Sequence, residues 1–312
     1  MIGQATRILR HMGPSGLVAA LVRSGRAAIA RDLFGQRFVR RRIYDYEMWL
    51  DTRDRGISRT LILFGRRELE HRVMLEMLMK PGMIIFDIGA NIGYYALMEH
   101  RLLRGSGKII AIEPSQANAN LLRRNLALNR IDDVTVLEAA VSDTDGDRDF
   151  YLAPESNLNT FHPDPQRSQA MRTVTVATTT LPALAKKYGA PNLVRMDVEG
   201  HEVEVLDGAM TEIEARRMSP SIIFEVHRRR YGPNHDFAKT LRRLFAAGYR
   251  VPLVGSSQES GTLALRERGY VASEPIRTDF MTRAIFRDIR PDDAIDLICT
   301  SGGVRTVVLA RD

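Results

Sequence analysis

The strongest chemical signal in the sequence is a glycine-rich turn that follows a short apolar stretch and precedes a helical pattern. Residues 86–95 read FDIGANIGYY, in which an acid, two glycines and an asparagine are spaced two residues apart: Asp87, Gly89, Asn91 and Gly93. Glycines at such a turn let the backbone approach a ligand and expose amide groups at a helix N-terminus. The fingerprint of a dinucleotide site fails, because Tyr94 stands where its third glycine should be. A nicotinamide dehydrogenase is therefore disfavoured.

Two acids at the ends of neighbouring predicted strands indicate the ligand. The Asp87 carboxylate would repel a pyrophosphate but favours a cationic amino group, such as the one on S-adenosylmethionine. Glu113 ends the next strand and can accept hydrogen bonds from both ribose hydroxyls of an adenosine group. Ala140 and Val141 end the third strand and can pack on the adenine, although a plain strand exit explains them nearly as well. We therefore predict an S-adenosylmethionine site; the alternative is a capping turn beside a surface glutamate.

Acid–base side chains that follow the fourth and fifth predicted strands form the candidate catalytic set: Asp197, Glu199, His201, Glu225 and His227. Ligands of open parallel sheets bind at the carboxyl ends of strands, so we expect these groups beside the cofactor, with Asp197 facing it. Either histidine can act as a general base near neutral pH. Glu199 can instead cap the next helix, and His227 can instead be a solvated histidine. The spacing permits a divalent ion without requiring one, and we predict no metal site.

The elements that position these residues alternate between strand and helix. Short apolar runs typical of buried strands occur at 84–88, 108–112, 134–137, 193–196, 222–226 and 250–254, with helical spacing between them. Such alternation predicts an α/β fold with a mostly parallel sheet covered by helices on both faces. The interval 146–176 interrupts the alternation and predicts an inserted hairpin or arm. Runs at 283–287 and 306–310 are candidates for closing strands.

Blocks beyond the glycine turn resemble the FkbM-type S-adenosylmethionine-dependent methyltransferases. They are AIEPSQANANLLRRNLALN at 111–129, AAVSDTDGDRDFY at 139–151, TTTLPAL at 178–184, NLVRMDVEGHEVEVLDGA at 192–209 and SIIFEVH at 221–227. The resemblance runs from about residue 83 to 254. It implies a class I methyltransferase, Rossmann-like and doubly wound with seven strands, and O-methylation of sugars, polyketides or other secondary metabolites. One departure is Arg195, where the family often carries lysine. If that residue contacts the acceptor, specificity could differ.

The net charge of +7 is concentrated at the N-terminus. Residues 1–42 hold nine arginines and one acid, whereas the rest of the chain holds 36 basic and 37 acidic residues. We predict a basic amphipathic helical extension over 1–42, a hairpin-like lead-in over 43–65 with strands at 43–50 and 58–64, and a methyltransferase domain over 66–312. The extension can contact an anionic membrane, act as a transit peptide or pack as an ordinary helix. The neutral remainder makes nucleic-acid binding unlikely.

Other properties bound the setting. Cys299 stands alone, so no disulfide can form within the chain, and a reducing compartment fits best. No apolar run approaches the roughly 20 residues of a membrane-spanning helix. We predict a cytoplasmic protein, in possible peripheral contact with a membrane, that acts on a small-molecule or carbohydrate acceptor. The alternatives are a non-catalytic S-adenosylmethionine-binding partner and an RNA methyltransferase; the sequence predicts no oligomeric state.

Two polar segments keep two interpretations each. The predicted arm offers hydrogen-bonding side chains that serve either a substrate lid or a surface connection: Asn157, Asn159, Thr160 and His162. The run Arg228–Arg230 either holds a phosphate or carboxylate of the substrate or is a solvated helix start.

Overall fold

The computed structural model describes residues 2–164, 168–233, 235–278 and 281–311, with side chains from residue 13 onward. In chain order the elements are α1 (Ile2–Asp32), β1 (Phe38–Arg42), β2 (Glu47–Asp51), α2 (Ile57–Phe64), α3 (Leu69–Leu78), β3 (Ile84–Ile88), α4 (Tyr94–Leu103), β4 (Lys108–Ile112), α5 (Gln116–Leu128), β5 (Val134–Leu137), β6 (Ala140–Val141), β7 (Gly146–Leu152), β8 (Arg172–Thr179), α6 (Leu181–Tyr188), β9 (Leu193–Met196), α7 (Glu202–Glu214), β10 (Ser221–Glu225), α8 (Phe237–Ala246), β11 (Arg250–Ser256), α9 (Glu259–Glu267), β12 (Ile276–Thr278), β13 (Met281–Arg283), β14 (Ile285–Ile289), α10 (Pro291–Ile295) and β15 (Val304–Ala310). Short 3-10 turns lie at Ser156–Leu158, Ser168–Ala170 and Arg228–Arg230, and a π-helical turn at Asp296–Thr300 continues α10.

The central sheet has the strand order β14-β11-β15-β10-β9-β3-β4-β5. Strands β3, β4, β5, β9 and β10 pair in parallel, whereas β15 is antiparallel to both β10 and β11, and β14 is antiparallel to β11. The predicted α/β class with a mostly parallel sheet is therefore confirmed. The implied count of seven strands is wrong: β14 adds an eighth at one edge, in a region beyond the motifs.

The sheet separates two hydrophobic cores because successive strand residues point to opposite faces. In β3, Phe86 and Ile88 join the core formed with α6, α7, α8 and α10, whereas Ile85 joins the core formed with α2 to α5. The apolar runs that predicted strands are thus buried on both faces, as parallel sheets require.

The lead-in differs from the prediction. The hairpin is formed by β1 and β2, and residues 58–64 belong to helix α2 rather than to a strand. The β-branched residues of this run suggested a strand, but its buried positions, Ile57, Leu61 and Ile62, follow helical spacing. Gly65, in a left-handed conformation, ends the helix. The hairpin and α2 pack on the same core as the sheet; the domain boundary at residue 66 stays a prediction.

Helix α1 is bent at Gly13, just before Pro14, and packs on α2 through Ala20, which contacts Leu63. The predicted helical extension over 1–42 is too long, because residues 38–42 form strand β1. Apolar side chains of α1 and the following turn remain exposed: Val18, Leu21, Val22, Ile29, Leu33 and Phe34. Within the described residues, no helix combines the length and the apolar character needed to cross a bilayer.

The interval predicted as an arm forms a small sheet at one side of the main one. β7 and β8 pair antiparallel from Gly146 to Leu152, and β6 joins β8 in parallel. The loop between β7 and β8 folds back, because Tyr151 and Thr160 exchange backbone hydrogen bonds of 3.0 and 3.1 Å. This loop, called the arm loop below, lies over the carboxyl ends of β3 and β4, where Ser156 accepts from the Asn91 side chain at 3.1 Å.

Candidate active site

A cavity lies at the carboxyl ends of β3, β4 and β9, where the chain reverses its direction of travel across the sheet. Open α/β sheets bind ligands at such a switch point. The cavity encloses roughly 750 Å³ not occupied by protein atoms, part of it open to solvent. Most of the predicted cofactor and catalytic residues line it: Gly89, Asn91, Glu113, Ala140, Val141, Asp197, Glu199 and His201.

The glycine turn brings the β3 backbone against the β9 backbone. Gly89 has a φ of 75°, and a Cβ placed on it would lie 2.2 Å from the carbonyl oxygen of Asp197. Only glycine adopts that conformation without cost and leaves room for this approach. The other predicted turn glycine, Gly93, packs against Leu122 of α5 rather than lining the cavity.

Glu113 is buried at the cavity edge and held by three donors. Its carboxylate accepts from the backbone amides of Asn91 and Ser115, both at 2.9 Å, and from the side-chain amide of Asn118 at 3.3 Å. Burial raises the pKa of Glu113 to about 7, even though these hydrogen bonds oppose the shift. The predicted ribose acid therefore lies in the cavity and changes charge near neutral pH.

Asp87 lies beneath the cavity rather than in its wall. It is fully buried, and its carboxylate is 3.1 Å from the guanidinium of Arg195, which is also 3.4 Å from Asp197. The guanidinium donates to the carbonyl of Gly89 at 3.2 Å and stacks on Tyr95 at 3.9 Å. The cation next to Asp87 is thus supplied by the protein. Arg195, at the position where the family often carries lysine, is therefore the cation that joins β3 to β9.

His227 faces acids of the candidate catalytic set. Its Nδ1 lies 2.8 Å from the carboxylate of Glu202, so that acid orients the ring. Its Nε2 lies 3.6 Å from a carboxylate oxygen of each of three acids: Asp197, Glu199 and Glu225. Burial lowers the pKa of His227, but Glu202 and Glu199 outweigh it and hold the pKa well above its usual value. These carboxylates therefore favour the charged form of the imidazole in the free protein.

A buried acid and an arginine that the sequence motifs did not identify complete this group. Arg305 of β15 bonds Glu68 at 2.8 Å and Glu225 at 2.8 Å. Glu68 precedes α3 and accepts from the Tyr95 hydroxyl at 2.6 Å. Burial raises the pKa of Glu225 to about 8 despite Arg305. Glu68 and Arg305 come from segments without a recognisable motif, and only the folded sheet brings them to the site.

Glu199 does not cap the next helix. His201 is the residue that precedes α7, and no side chain caps that end. Glu199 instead adopts a φ of 51°, unusual for a residue with a side chain, and its carbonyl accepts from Thr160 of the arm loop at 3.0 Å. The backbone there is shaped by the site and not by helix capping.

His201 belongs to a different group from His227. Its Nδ1 lies 3.1 Å from His162 and 3.3 Å from Glu204, while its Nε2 contacts Ser142 at 2.9 Å. Of the two histidines proposed as a base, only His227 contacts Asp197, Glu199 and Glu225.

The arm loop contributes to the cavity. Asn157, Asn159 and Phe161 of this loop line the cavity, together with Phe150 of β7. The sequence analysis missed the two aromatic residues. The two rings lie 4.8 Å apart beside Ala140. These contacts favour a wall of the site over a plain surface connection for the arm loop.

The arginine run contributes no lining to the cavity. Arg228 and Arg230 donate to backbone carbonyls, of Thr300 and His162 respectively.

We predict that Gly89→Ala destabilises the protein by about 2–5 kcal/mol, because left-handed strain adds to a forced separation of β3 from β9. Gly105→Ala is the matched control, since Gly105 has nearly the same φ, 74°, with open space where its Cβ would lie. It should lose only about 1–2 kcal/mol. Urea unfolding of both variants measures the difference, and equal losses would show that the close approach is not strained.

Comparison with known proteins places the chain in a family. The model of the methyltransferase FkbM domain matches residues 87–251. The 31-O-demethyl-FK506 methyltransferase FkbM of Streptomyces tacrolimicus is 36% identical over 115 residues, which cover 36% of this chain and 42% of that protein. The hexuronic acid methyltransferase AglP of Haloferax volcanii is 26% identical over 144 residues, 46% of this chain and 56% of that protein. The chain thus spans about half the length of these relatives.

Among solved structures, a methyltransferase FkbM from Methylobacillus flagellatus has 15% identity and a TM-score of 0.36, covering 73% of this chain and 52% of that one. The family model covers more than half of this sequence, and its range includes the end of β3 and all of β4 and β9, the strands that build the cavity. The chain belongs to the FkbM methyltransferase domain family.

Proposed function

We propose that this protein is an S-adenosylmethionine-dependent methyltransferase that modifies a hydroxyl oxygen of a carbohydrate-like or polyketide-like small molecule. The observation that carries the proposal is the cavity at the switch point, with Glu113 at its edge and His227 and its three acids beside it. Family membership supports the same reaction class. The sulfonium of S-adenosylmethionine supplies an electrophilic methyl group for transfer to the acceptor.

The residues present fit this cofactor. Glu113 offers carboxylate oxygens for the ribose hydroxyls, and the backbone approach at Gly89 leaves space that a Cβ would fill. Ala140 and Val141, together with the ring of Phe150, offer an apolar wall for the adenine. These groups match the adenosine part of the molecule.

We assign the contact with the cofactor's amino group, predicted for Asp87, to Asp197 instead. Arg195 lies 3.1 Å from Asp87 and 3.4 Å from Asp197, but only Asp197 lines the cavity, so we assign Asp197 to the cationic amino group of the cofactor. Asp87 then acts as a positioning residue that fixes Arg195. This assignment keeps the expected attraction for a cation but moves it from β3 to β9.

His227 is our choice for the general base. A hydroxyl must lose its proton as the oxygen attacks, so the base must be uncharged before the step. Glu202 holds the Nδ1 side and leaves Nε2 directed toward Asp197, Glu199 and Glu225. Deprotonated Nε2 can take the acceptor proton, and the resulting imidazolium is then stabilised by the same acids. Most of the remaining catalysis is alignment of the acceptor with the methyl group.

The acceptor class rests on the relatives. Their names give 31-O-demethyl-FK506 and a hexuronic acid as substrates. A hexuronic acid presents several hydroxyls, and the polar lining from Asn157, Asn159 and Glu199 suits such a molecule. An RNA acceptor is disfavoured by the neutral charge balance outside residues 1–42.

We predict that S-adenosylmethionine affinity falls about tenfold from pH 8 to pH 6, because only ionised Glu113, whose pKa is about 7, accepts from both ribose hydroxyls. Glu113→Gln should bind roughly 10- to 100-fold more weakly and lose this pH dependence. Calorimetric titration across the pH range measures both. Glu138→Gln, a surface acid paired with Arg123, is the control and should match wild type. Unchanged affinity in Glu113→Gln would contradict the ribose assignment.

We predict that His227→Gln lowers kcat about 10²- to 10⁴-fold while S-adenosylmethionine affinity stays within about threefold, because the residue is assigned to the acceptor proton and not to a group of the cofactor. Wild-type kcat should rise with pH through a midpoint above the usual histidine pKa, and the variant profile should be flat. Formation of S-adenosylhomocysteine with a hexuronic acid acceptor measures the rate, with His100→Gln as control. A full rate in His227→Gln would exclude this base, and cofactor binding without transfer to any hydroxylated acceptor would favour a non-catalytic binding protein.

We also propose that α1 contacts an anionic membrane surface. Val18, Leu21, Val22 and Ile29 are at least half exposed on one helix that also carries arginines, and its buried side is already used against α2. An exposed apolar stripe next to basic residues binds headgroup and acyl regions together.

Flotation with vesicles containing phosphatidylserine tests this. Because β1 begins at Phe38, removal of residues 1–42 would disrupt the hairpin, so substitution is cleaner than truncation. Leu21→Ser combined with Val22→Ser should abolish most of the flotation seen with wild type. Leu263→Ser combined with Val271→Ser, apolar residues elsewhere that are also more than half exposed, should leave flotation unchanged. Equal flotation of both double variants would end the proposal.

A further inference from the structure

A second group of histidines lies outside the proposed catalytic set. We call it the histidine cluster, and its members are His162, His201, Glu204 and His235. The residues come from three separate segments: the arm loop, the start of α7 and the loop before α8. Nothing in the proposed methyl transfer uses their convergence.

We propose that the histidine cluster binds a divalent cation of the zinc type, with His162 Nε2, His201 Nδ1, His235 Nε2 and a Glu204 carboxylate oxygen as ligands. Imidazole nitrogens and a carboxylate are the donors that zinc prefers besides thiolate. The ion would fasten the arm loop to the body of the domain. The proposal does not depend on the identity of the acceptor.

Four of the distances between the candidate ligand atoms are close to those of a tetrahedral zinc site. A zinc ion with bonds of about 2.0–2.1 Å holds its ligand atoms roughly 3.3 Å apart. The His162 nitrogen lies 3.1 Å from that of His201 and 3.2 Å from Glu204. That distance is to Oε1 of Glu204, whereas Oε2 of the same carboxylate lies 3.3 Å from His201 and 2.9 Å from His235. The described ligand atoms of His162, Glu204 and His235 all lie within 4.8 Å of one another.

The second ring nitrogen of His235 shows that its ligand nitrogen is suitably oriented. His235 Nδ1 lies 2.9 Å from the carbonyl oxygen of Arg230. A carbonyl can only accept, so Nδ1 carries the hydrogen. Nε2 lies 2.9 Å from the carboxylate of Glu204, which can only accept, so in the metal-free protein Nε2 donates to it; a bound ion would displace this hydrogen and take up the lone pair. Histidines that bind metals characteristically donate their other N–H in this way.

The second ring nitrogen of His201 leads to the same conclusion. The Ser142 hydroxyl donates to Asp143 at 3.0 Å, so its oxygen is left to accept from His201 Nε2 at 2.9 Å. His201 Nδ1 therefore carries the lone pair and points at the cluster. In the metal-free protein His162 Nε2 donates its hydrogen to this lone pair at 3.1 Å, and a bound ion would replace that hydrogen.

Charge and access distinguish this cluster from the acids around His227. Two of those acids, Asp197 and Glu225, already pair with the guanidinium groups of Arg195 and Arg305, respectively. The histidine cluster instead opens into a solvent-filled cleft lined by Asp147, Arg148 and Asp149, through which an ion can enter. One anionic ligand, Glu204, and three neutral imidazoles would leave a site of net charge +1 on a divalent ion, as catalytic and structural zinc sites tolerate.

The position of His162 gives the ion a structural role. The next residue back, Phe161, lines the cofactor cavity and packs on the His201 ring at 4.3 Å. Arg230 also holds the His162 carbonyl at 2.6 Å. A bound ion would therefore fix the wall of the cavity that the arm loop provides.

Zinc titration of the metal-free full-length protein, in competition with a chromophoric chelator, tests the site. We expect one zinc ion per chain, a higher Tm with zinc, and the intense visible bands of four-coordinate cobalt when Co²⁺ replaces it. His235→Gln and Glu204→Gln should each weaken zinc binding roughly a hundredfold or more, since even outer hydrogen-bond partners are worth 10- to 100-fold. His100→Gln and His227→Gln should bind zinc as wild type does.

Ser142→Ala guards against loss of folding in the ligand variants, because it keeps all four candidate ligands. It removes the hydroxyl that accepts from His201 and donates to Asp143, and should weaken zinc binding about 10-fold or more. Binding of equal strength in wild type and His235→Gln, or a six-coordinate cobalt spectrum, would overturn the proposal. Loss of binding in His227→Gln alone would move the ion to the catalytic acids. None of these readouts needs S-adenosylmethionine or an acceptor, so failure here leaves the proposed methyl transfer standing.

Discussion

A single buried arginine holds the centre of the site together. Arg195 lies between the carboxylates of Asp87 and Asp197, stacks on Tyr95, and donates to the carbonyl of the first turn glycine, Gly89. Buried ion pairs often add little net stability, because desolvation offsets the attraction. The main effect of Arg195 is on geometry. Its planar guanidinium has several donors and fixes two strands and a turn relative to one another, which a lysine ammonium cannot do in the same way.

The close approach of the β3 turn to β9 depends on that arrangement. Gly89 can lie against the Asp197 carbonyl only if the strands keep their register, and the pairing of Asp87 with residue 195 across the sheet keeps it. The turn in turn presents the Asn91 amide to Glu113 and the Asn91 side chain to the arm loop. The cavity thus has a rigid floor, a fixed acid at its edge and a wall attached by hydrogen bonds.

Much of this could be predicted from sequence, because the relevant signals are local. The apolar runs of β3 and β4, the glycine spacing and the acids after β9 and β10 are all read within a few residues of one another. Pairing partners are not local: Glu68 and Arg305 meet across 237 residues, and no spacing rule reaches that far. The prediction of a strand in the lead-in was wrong for a different reason. The β-branched residues of α2 favour a strand, but burial of one helical face and the helix-ending Gly65 stabilise a helix.

The start of α7 explains why two histidine groups coexist so near to each other. Glu202 and Glu204 are two residues apart, so on a helix their side chains point about 200° apart. Glu202 reaches His227 and the Tyr231 hydroxyl, whereas Glu204 reaches His162 and His235. One helical turn therefore orients the imidazole of His227 toward the acids of the cavity and, on its other side, gathers residues that contact the arm loop. The proposed proton transfer and the proposed cation site would share one rigid support while their titrating groups remain separate.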